Sequence, residues 1–299
     1  MIYVIDTSKF VRNSKSNLKS GPQRVYESIL NAKFQDKIVE VNHKSTSWPN
    51  KESKVIIVKD DLSQIPKKLV DILGECEVLI GPNINFGNDI NKNLIRMIKP
   101  RALLVPCSWI IPAIRYRDEV QDTLRLRIWT AGIDTKAWNS RAKRKKYQYL
   151  VYVKNTEAFN LIAEYKKVLD DLGWIGETIE YGQYSERKYK KLLSRSQFVI
   201  WFGNTETQGI AQFEAWSMNL PTLIHNIDSY TVNNKTFAAS SSPYLTPMCG
   251  RFFNSYDEPM EIISKWIHDL PSFQARKWVR DNHDIEISAK SLEELFLNE

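Results

Sequence analysis

Cysteine is scarce in this 299-residue chain: Cys76, Cys107 and Cys249 are scattered and odd in number. No C-x-x-C pair occurs, which excludes a cysteine-rich zinc site and a disulfide scaffold and fits a reducing compartment. Histidine is scarcer than most polar residues, with four (His43, His225, His268, His283) at spacings unlike a metal-ligand set. No D-x-D stands where a metal would need it, and Asp60-Asp61 reads as the cap of a following helix. Long hydrophobic runs are also missing. The longest mostly apolar stretch, Ala102 to Ile114, is too short to span a bilayer, holds two prolines and ends at Arg115. The opening MIYVIDTSKF lacks the basic start and long apolar stretch of a secretion signal, so a cytoplasmic, soluble protein is expected. Internal repeats and low-complexity segments are absent, and 11 Gly with 12 Pro exclude a collagen-like chain.

What is present is an ordinary globular composition, 42% hydrophobic and 26% charged. A chain of this length buries roughly three quarters of its unfolded surface and needs no staple to fold. The charge is less ordinary. Lys and Arg number 42 against 35 Asp and Glu, a formal +7. That balance suits an anionic partner, whether nucleic acid, membrane surface or phosphorylated small molecule, and equally suits a lysine-rich soluble surface.

Short β-type runs alternate with helix-type stretches along most of the chain. Strands are expected at 2–6, 37–41, 55–58, 78–80, 102–105 and 126–130, with Gly81-Pro82-Asn83 closing the fourth, and a helix is expected from Val25 to Phe34. A polar, basic stretch from Asp134 to Tyr147, including Arg141 to Lys146, reads as a linker. A second series follows: strands at 149–153, 177–181, 198–202 and 222–225, and helices at 157–172, 186–193 and 208–218. From Asp257 onward the tail reads as two or three helices. Such alternation implies parallel sheets covered on both faces. Two Rossmann-like domains are therefore expected, 1–135 and 136–299, with ligands beyond the carboxyl ends of the strands.

The stretch after the 198–202 strand is the most informative. It runs Gly203-Asn-Thr-Glu206-Thr207-Gln208-Gly209-Ile210-Ala-Gln-Phe-Glu214-Ala-Trp-Ser-Met-Asn-Leu-Pro221-Thr-Leu-Ile-His225. Glu206 falls in a loop and Gly209 at a helix start, so the amides of Gln208, Gly209 and Ile210 can face an anion. Glu214 falls roughly one and a half turns into the helix. A carboxylate accepts two hydrogen bonds at once, which suits vicinal hydroxyls. Taken alone, Glu206 reads rather as a helix-start acid complementing the macrodipole and Glu214 as a solvated helix residue. Phe213, Ala215 and Trp216 flank Glu214, however, and imply a buried carboxylate in need of a partner.

Two glutamates with seven residues between them, a glycine three after the first, and a helix ending in Asn-Leu-Pro-Thr-Leu-Ile resemble the signature of retaining GT-B glycosyltransferases. The family reads E-x-F-G-x-x-x-x-E-A-x-A-x-G-x-P-V-I, and this chain departs at Gln208 and Asn219. The resemblance implies a GT-B fold, with two Rossmann-like domains whose parallel sheets face a central cleft. It implies Glu206 as the catalytic residue at the donor sugar and Glu214 at the ribose. Thr207 lies in the loop expected to set donor selectivity, and the amides of Gln208 to Ile210 would meet the phosphates. Tyr149 to Asn155 resembles the first strand of the donor domain, so Lys154 and Asn155 are expected at the diphosphate. Trp129 to Asp134 resembles the turn that closes the last strand before the linker. Ser20-Gly21-Pro22-Gln23-Arg24 resembles the glycine-rich acceptor-side loop, with Gly21 and Arg24 on the acceptor or phosphate side, or else it is a helix N-terminus with proline in its first turn. Gly81 to Asn83 and Pro106 to Trp109 resemble turns on the acceptor side, Pro243 to Thr246 a loop that closes a cleft or covers the surface, and His225 lies near the nucleotide or in the core.

The function implied is transfer of a sugar from a nucleotide-diphosphate donor to a glycan, protein or lipid-linked acceptor hydroxyl, with retention, no cofactor and no metal. Peripheral membrane association through the basic linker stays open. The alternatives are an inverting transferase or epimerase of similar fold, an inactive sugar-nucleotide-binding protein, and a nucleic-acid-binding module. Nucleic acid is the less expected partner, because no aromatics interleave with the basic run.

Overall fold

The computed structural model describes residues 1–7, 21–84, 89–119, 124–139 and 148–297. The chain divides into two compact units: Met1–Gly132 with Thr231–Phe237 and Ile285–Glu299, and Ile133–Tyr230 with Ala238–Asp284.

The first unit runs β1 (Ile2–Asp6), α1 (Gly21–Asn31), β2 (Ile38–Val41), β3 (Lys54–Asp60), α2 (Lys67–Leu73), β4 (Glu77–Ile84), α3 (Asp89–Ile98), β5 (Ala102–Val105), α4 (Ile110–Arg117) and β6 (Leu126–Ile128). These strands form a six-stranded sheet in the order β2-β1-β3-β4-β5-β6, every neighbouring pair parallel. β1 and β5 are buried at every position. That is why both read as unbroken apolar runs rather than alternating ones. Asp61 caps a short 3-10 turn by accepting from the Ser63 amide at 2.9 Å, the capping role its sequence suggests. Gly81-Pro82-Asn83 does not close a strand: β4 continues through it to Ile84. The pairing with β3 is irregular between Ile57 and Lys59, and such a bulge accommodates a proline inside a sheet.

The second unit runs β7 (Gln148–Val153), α5 (Phe159–Asp171), β8 (Ile175–Glu180), α6 (Glu186–Leu193), β9 (Val199–Phe202), α7 (Ile210–Ser217), β10 (Thr222–His225), then a hairpin of β11 (Ser229–Val232) and β12 (Lys235–Ala238), and finally β13 (Gly250–Phe253), α8 (Pro259–Asp269) and α9 (Ala275–Asn282). Its sheet is five-stranded and parallel, in the order β13-β10-β9-β7-β8. One face packs Tyr152, Tyr189, Trp201, Phe213 and Trp216, and the other Tyr149, Tyr165, Phe198, Phe253 and Trp266. After β7 the chain adds β8 on one side and then β9 on the other. The order therefore reverses at β7, which opens a crevice beyond the ends of β7 and β9.

Three expectations change. The linker read from Asp134 onward is structured over its described part. Trp138 is buried, and Arg276 donates to the carbonyls of Thr135, Trp138 and Ser217, which ties residues 135–138 to α7 and α9. The basic run Arg141 to Lys146 lies outside the described residues. The loop through Pro243 to Thr246 is not open surface: Tyr244 and Leu245 pack on the α7 core, with Ser241 and Ser242 buried beside them. Helix α10 (Ile285–Leu297) joins the first unit, not a 136–299 domain. Leu292 and Phe296 are buried, Glu286 and Glu293 accept the amides of Lys33, Gln35 and Asp36, and Trp129 donates to the Ser288 carbonyl at 3.0 Å. The hairpin tip also belongs to the first unit, where the Phe237 ring lies 5.6 Å from Tyr116 and Lys235 Nζ sits 4.7 Å above Tyr116. Among the described residues, no helix is long and apolar enough to cross a membrane.

Candidate functional site

Lys154 follows directly on β7. Its amide and that of Asn155 both donate to the Phe202 carbonyl, at 2.8 and 3.1 Å, so the exits of β7 and β9 are laced together. Glu206 lies four residues beyond β9, with its amide held by the Ser240 carbonyl at 2.8 Å. In this frame Lys154 Nζ donates to Glu206 Oε1 at 2.7 Å. The two side chains are largely enclosed, 27% and 14% exposed, so the pair is screened less than a surface ion pair. Burial pushes the Glu206 carboxyl above its usual range, and the Lys154 ammonium pulls it partly back.

Two tyrosines complete this corner. Tyr181, just past β8, ties its amide to the Val153 carbonyl at 2.8 Å and lies with its ring 5.0 Å from Lys154 Nζ, within cation–π range. Tyr152 stacks on Trp201 at 3.8 Å and shares a 2.7 Å hydroxyl contact with Tyr184. Burial drives the Tyr152 phenol far up. The neighbouring tyrosines and then the Glu206 charge add to that shift.

The head of α7 is built by Gly209. Its φ of +77° is left-handed, and a Cβ there would stand 2.5 Å from Gln212 Oε1. That backbone ends the loop and starts the helix at Ile210, two residues later than Gln208. Gln212 holds the arrangement from inside. It donates to the Ser241 carbonyl at 2.9 Å and accepts from Ser242 Oγ at 2.8 Å. Ser241 Oγ donates onward to the His225 carbonyl at 2.8 Å, linking the helix head to the exit of β10. The first amides of a helix lack an intrahelical acceptor; in α7 that of Gln212 is already taken by the Gly209 carbonyl at 2.9 Å, and those of Gly209 to Ala211 follow closely on Glu206 and Thr207 in sequence. Glu214 is 2% exposed on a helix buried over most of its surface, which matches the enclosure implied by its apolar flanks.

Asn155 stands next to Lys154 at the exit of β7. Its Oδ1 accepts the Glu157 amide at 2.9 Å as a cap, and the residue lines a cavity of about 340 Å³ with Glu157, Asn160, Glu164, His225 and Ser255. His225 is buried at its edge. Nε2 contacts Ser255 Oγ at 2.8 Å, Nδ1 has no hydrogen-bond partner among the described residues, and burial lowers its pKa. On the first unit, Gly21 opens α1 and Arg24 lies in its first turn. A Cβ at Gly21 would meet nothing within 4 Å, so no contact there demands glycine. Ser20 lies outside the described residues. Among the described residues no group of three or more His, Cys, Asp or Glu could hold a metal ion.

Tyr181, Tyr152 and the Gln212–Ser241–Ser242 clamp are not found by reading the chain. Tyr181 ends the strand beside β7, but only the strand order β9-β7-β8 reveals that neighbour.

No family model matches the sequence and no curated protein matches it. Solved structures do match. TarM is similar over 82% of this chain, with a TM-score of 0.54 and 13% identity. This chain spans 55% of the TarM chain. A TarM mutant from S. aureus, solved in complex with Fondaparinux, alpha-GlcNAc-glycerol and UDP, matches with a TM-score of 0.52 and 13% identity over 82% of this chain and 55% of its own. The lipopolysaccharide outer core galactosyltransferase WaaB, in its apo form, matches over 99% of both chains, with a TM-score of 0.52 and 11% identity. At such identities the likeness is one of fold. The chain has the α/β fold of the GT-B glycosyltransferases, with a parallel sheet in each unit.

Proposed function

We propose that the chain is a glycosyltransferase that moves a sugar from a nucleotide-diphosphate donor to an acceptor hydroxyl, with retention of configuration and without a metal. The observation that carries this reading is the Lys154–Glu206 pair at the sheet's reversal point, beside the left-handed Gly209 and the head of α7. A cation, a helix N-terminus and a carboxylate that follow the ends of β7 and β9 are the set a diphosphate with a hydroxyl-rich group attached needs. The UDP and glycan ligands of the TarM mutant, and the galactosyl transfer named for WaaB, support the same class of substrate.

In this reading Lys154 and the amides around Gly209 receive the diphosphate. They stabilise the charge that develops on it as the sugar departs. Glu206 orients the sugar through its hydroxyls and Glu214 holds the ribose. Rate enhancement comes from orientation and from stabilising the leaving phosphate, and the acceptor proton passes to the departing phosphate oxygen. Gly21 and Arg24 serve the acceptor or phosphate side. The acceptor is a glycan, protein or lipid-linked hydroxyl, and the protein works in the cytoplasm, with membrane contact through the basic segment as a further option.

The test is a thermal-shift and hydrolysis screen against UDP-, GDP-, ADP- and TDP-sugars, followed by NMR of the product's anomeric proton. Glu206→Ala and Glu214→Ala should each lower transfer by a hundredfold or so, on the scale of one lost transition-state contact, while far-UV circular dichroism still shows a folded protein. Full transfer by both variants would sink the assignment.

A further inference from the structure

Arg276, in the first turn of α9, is fixed by backbone carbonyls. Its Nη1 donates to the carbonyl of Trp138 at 3.0 Å and to that of Ser217, and its Nη2 donates to that of Thr135 at 2.8 Å. A guanidinium carries five N–H donors, so Nε and one hydrogen of Nη2 are left over. Arg276 also lines a cavity of about 490 Å³, together with Asn219, Phe273, Lys277, Arg280 and Asp281. We propose that this cavity is an anion site for a phosphate monoester, apart from the crevice at Lys154 and independent of the donor reading. Helix α7 starts just after Gly209 and ends at Ser217, whose carbonyl holds Arg276. The cavity therefore lies about 12 Å, one eight-residue helix, from the Gly209 end.

The charges around the cavity do not balance. Arg276, Lys277 and Arg280 face a single carboxylate, Asp281. That carboxylate is taken by Lys277 Nζ at 2.5 Å. Among the described residues, neither Arg276 nor Arg280 forms an ion pair. The two stand one helical turn apart, a spacing at which like charges destabilise a helix. Burial, and then the Arg280 charge, lower the pKa of Arg276, with Asp284 opposing. A cation at the end of α7 suits the helix dipole, which accounts for Arg276. It does not account for Arg280, exposed one turn further on. A bound anion supplies a counter-charge to both.

The number of donors points to phosphate. A phosphate monoester brings three terminal oxygens and about two negative charges at neutral pH. Those oxygens can accept from Arg276, from Arg280 and from Lys277, which keeps two N–H donors after serving Asp281. A carboxylate, with fewer oxygens and a single charge, serves three cations less well. The buried Phe273 gives the wall an apolar part, against which the carbon group carrying the phosphate can rest.

Two probes test a free and a lipid-borne form of the same group: calorimetric titration of glycerol phosphate into the full chain, and co-sedimentation with vesicles of phosphatidylcholine and phosphatidic acid in equal parts. Wild type should bind at least one of them, more weakly as salt is raised. Arg280→Glu should bind it about tenfold more weakly, the scale of one lost charge-assisted contact, with Arg280→Lys in between. Arg280 is exposed, so the melting temperature should not change. Should charge reversal lower it, Arg280→Gln removes the cation without adding a charge and serves in its place. Glycerol phosphate binding that depends on Arg280 supports a soluble ligand, and Arg280-dependent binding of the vesicles alone supports a headgroup. Absence of binding to either probe by wild type overturns the proposal. Binding that Arg280→Glu leaves unchanged overturns it too, as does equal affinity for vesicles of phosphatidylcholine alone without Arg280-dependent binding of glycerol phosphate.

Discussion

Replacing Gly209 with alanine isolates the device that sets the head of α7. Gly209 and Gly182 share nearly the same backbone, φ +77° and +79°. An alanine pays the left-handed penalty at both positions, about 1–2 kcal/mol. At Gly182 nothing lies within 4 Å of the new Cβ, so the effect stops there. At Gly209 the Cβ would stand 2.5 Å from Gln212 Oε1 and 3.0 Å from Cδ. The end of a long side chain ordinarily moves aside at little cost. Gln212 is fully buried, however, and both ends of its amide are engaged, with Ser241 and Ser242. Each buried partner left unsatisfied costs about 1–3 kcal/mol. With one of these partners lost, Gly209→Ala should therefore lose about 2–5 kcal/mol, against about 1–2 for Gly182→Ala. Urea unfolding followed by far-UV circular dichroism reads the difference, provided the slope is unchanged between variants. Adding Gln212→Ala to Gly209→Ala should relieve the steric part and give a double variant less destabilised than the sum. If Gly209→Ala and Gly182→Ala agree within about 1 kcal/mol, the clamp does not hold the helix head and the reasoning fails.

Burial lowers His283 from 6.5 to about 4, where its ring lies 4.6 Å from Phe213 and 4.8 Å from Trp278. Its folded pKa is depressed, so its contribution to stability is present above the unfolded pKa and is lost as the pH falls toward about 4. His283→Phe should flatten the acid sensitivity of unfolding between about pH 6.5 and 4, by on the order of 2–3 kcal/mol. Thr222→Val should destabilise by about 1–3 kcal/mol in denaturant melts, because it strands the buried Trp216 indole that donates to Thr222 Oγ1 at 2.9 Å. An unchanged melt would mean that the indole finds another acceptor.

The alternation of strands and helices is legible because parallel strands covered on both faces, such as 102–105 and 222–225, must be uninterrupted apolar runs. The neighbourhood of Lys154 and Glu206 is legible for a related reason: one follows directly on such a run and the other lies four residues beyond one, and ligands gather at strand ends. Their contact is not legible, since it depends on β9 lying beside β7 rather than beside β8. The hairpin of β11 and β12 carries a local signal in Asn233-Asn234, whose φ values of 47° and 60° are those of a tight hairpin turn, but its flanks Ser229 to Val232 and Lys235 to Ala238 are too polar to read as strands. The placement of α10 is not a local property. Its apolar positions require some core, and only the partners at Lys33, Gln35 and Trp129 identify which one.

That helix sets the order in which the molecule can be completed. The chain passes between the two units after Gly132, Tyr230, Phe237 and Asp284, so the unit whose sheet is synthesised first is finished only when α10 arrives. During synthesis the surface later covered by Leu292 and Phe296 stays open while the other unit is made and folds. No single cut in the chain separates the two units intact, and a fragment ending before Ile285 would lack the helix that packs against α1.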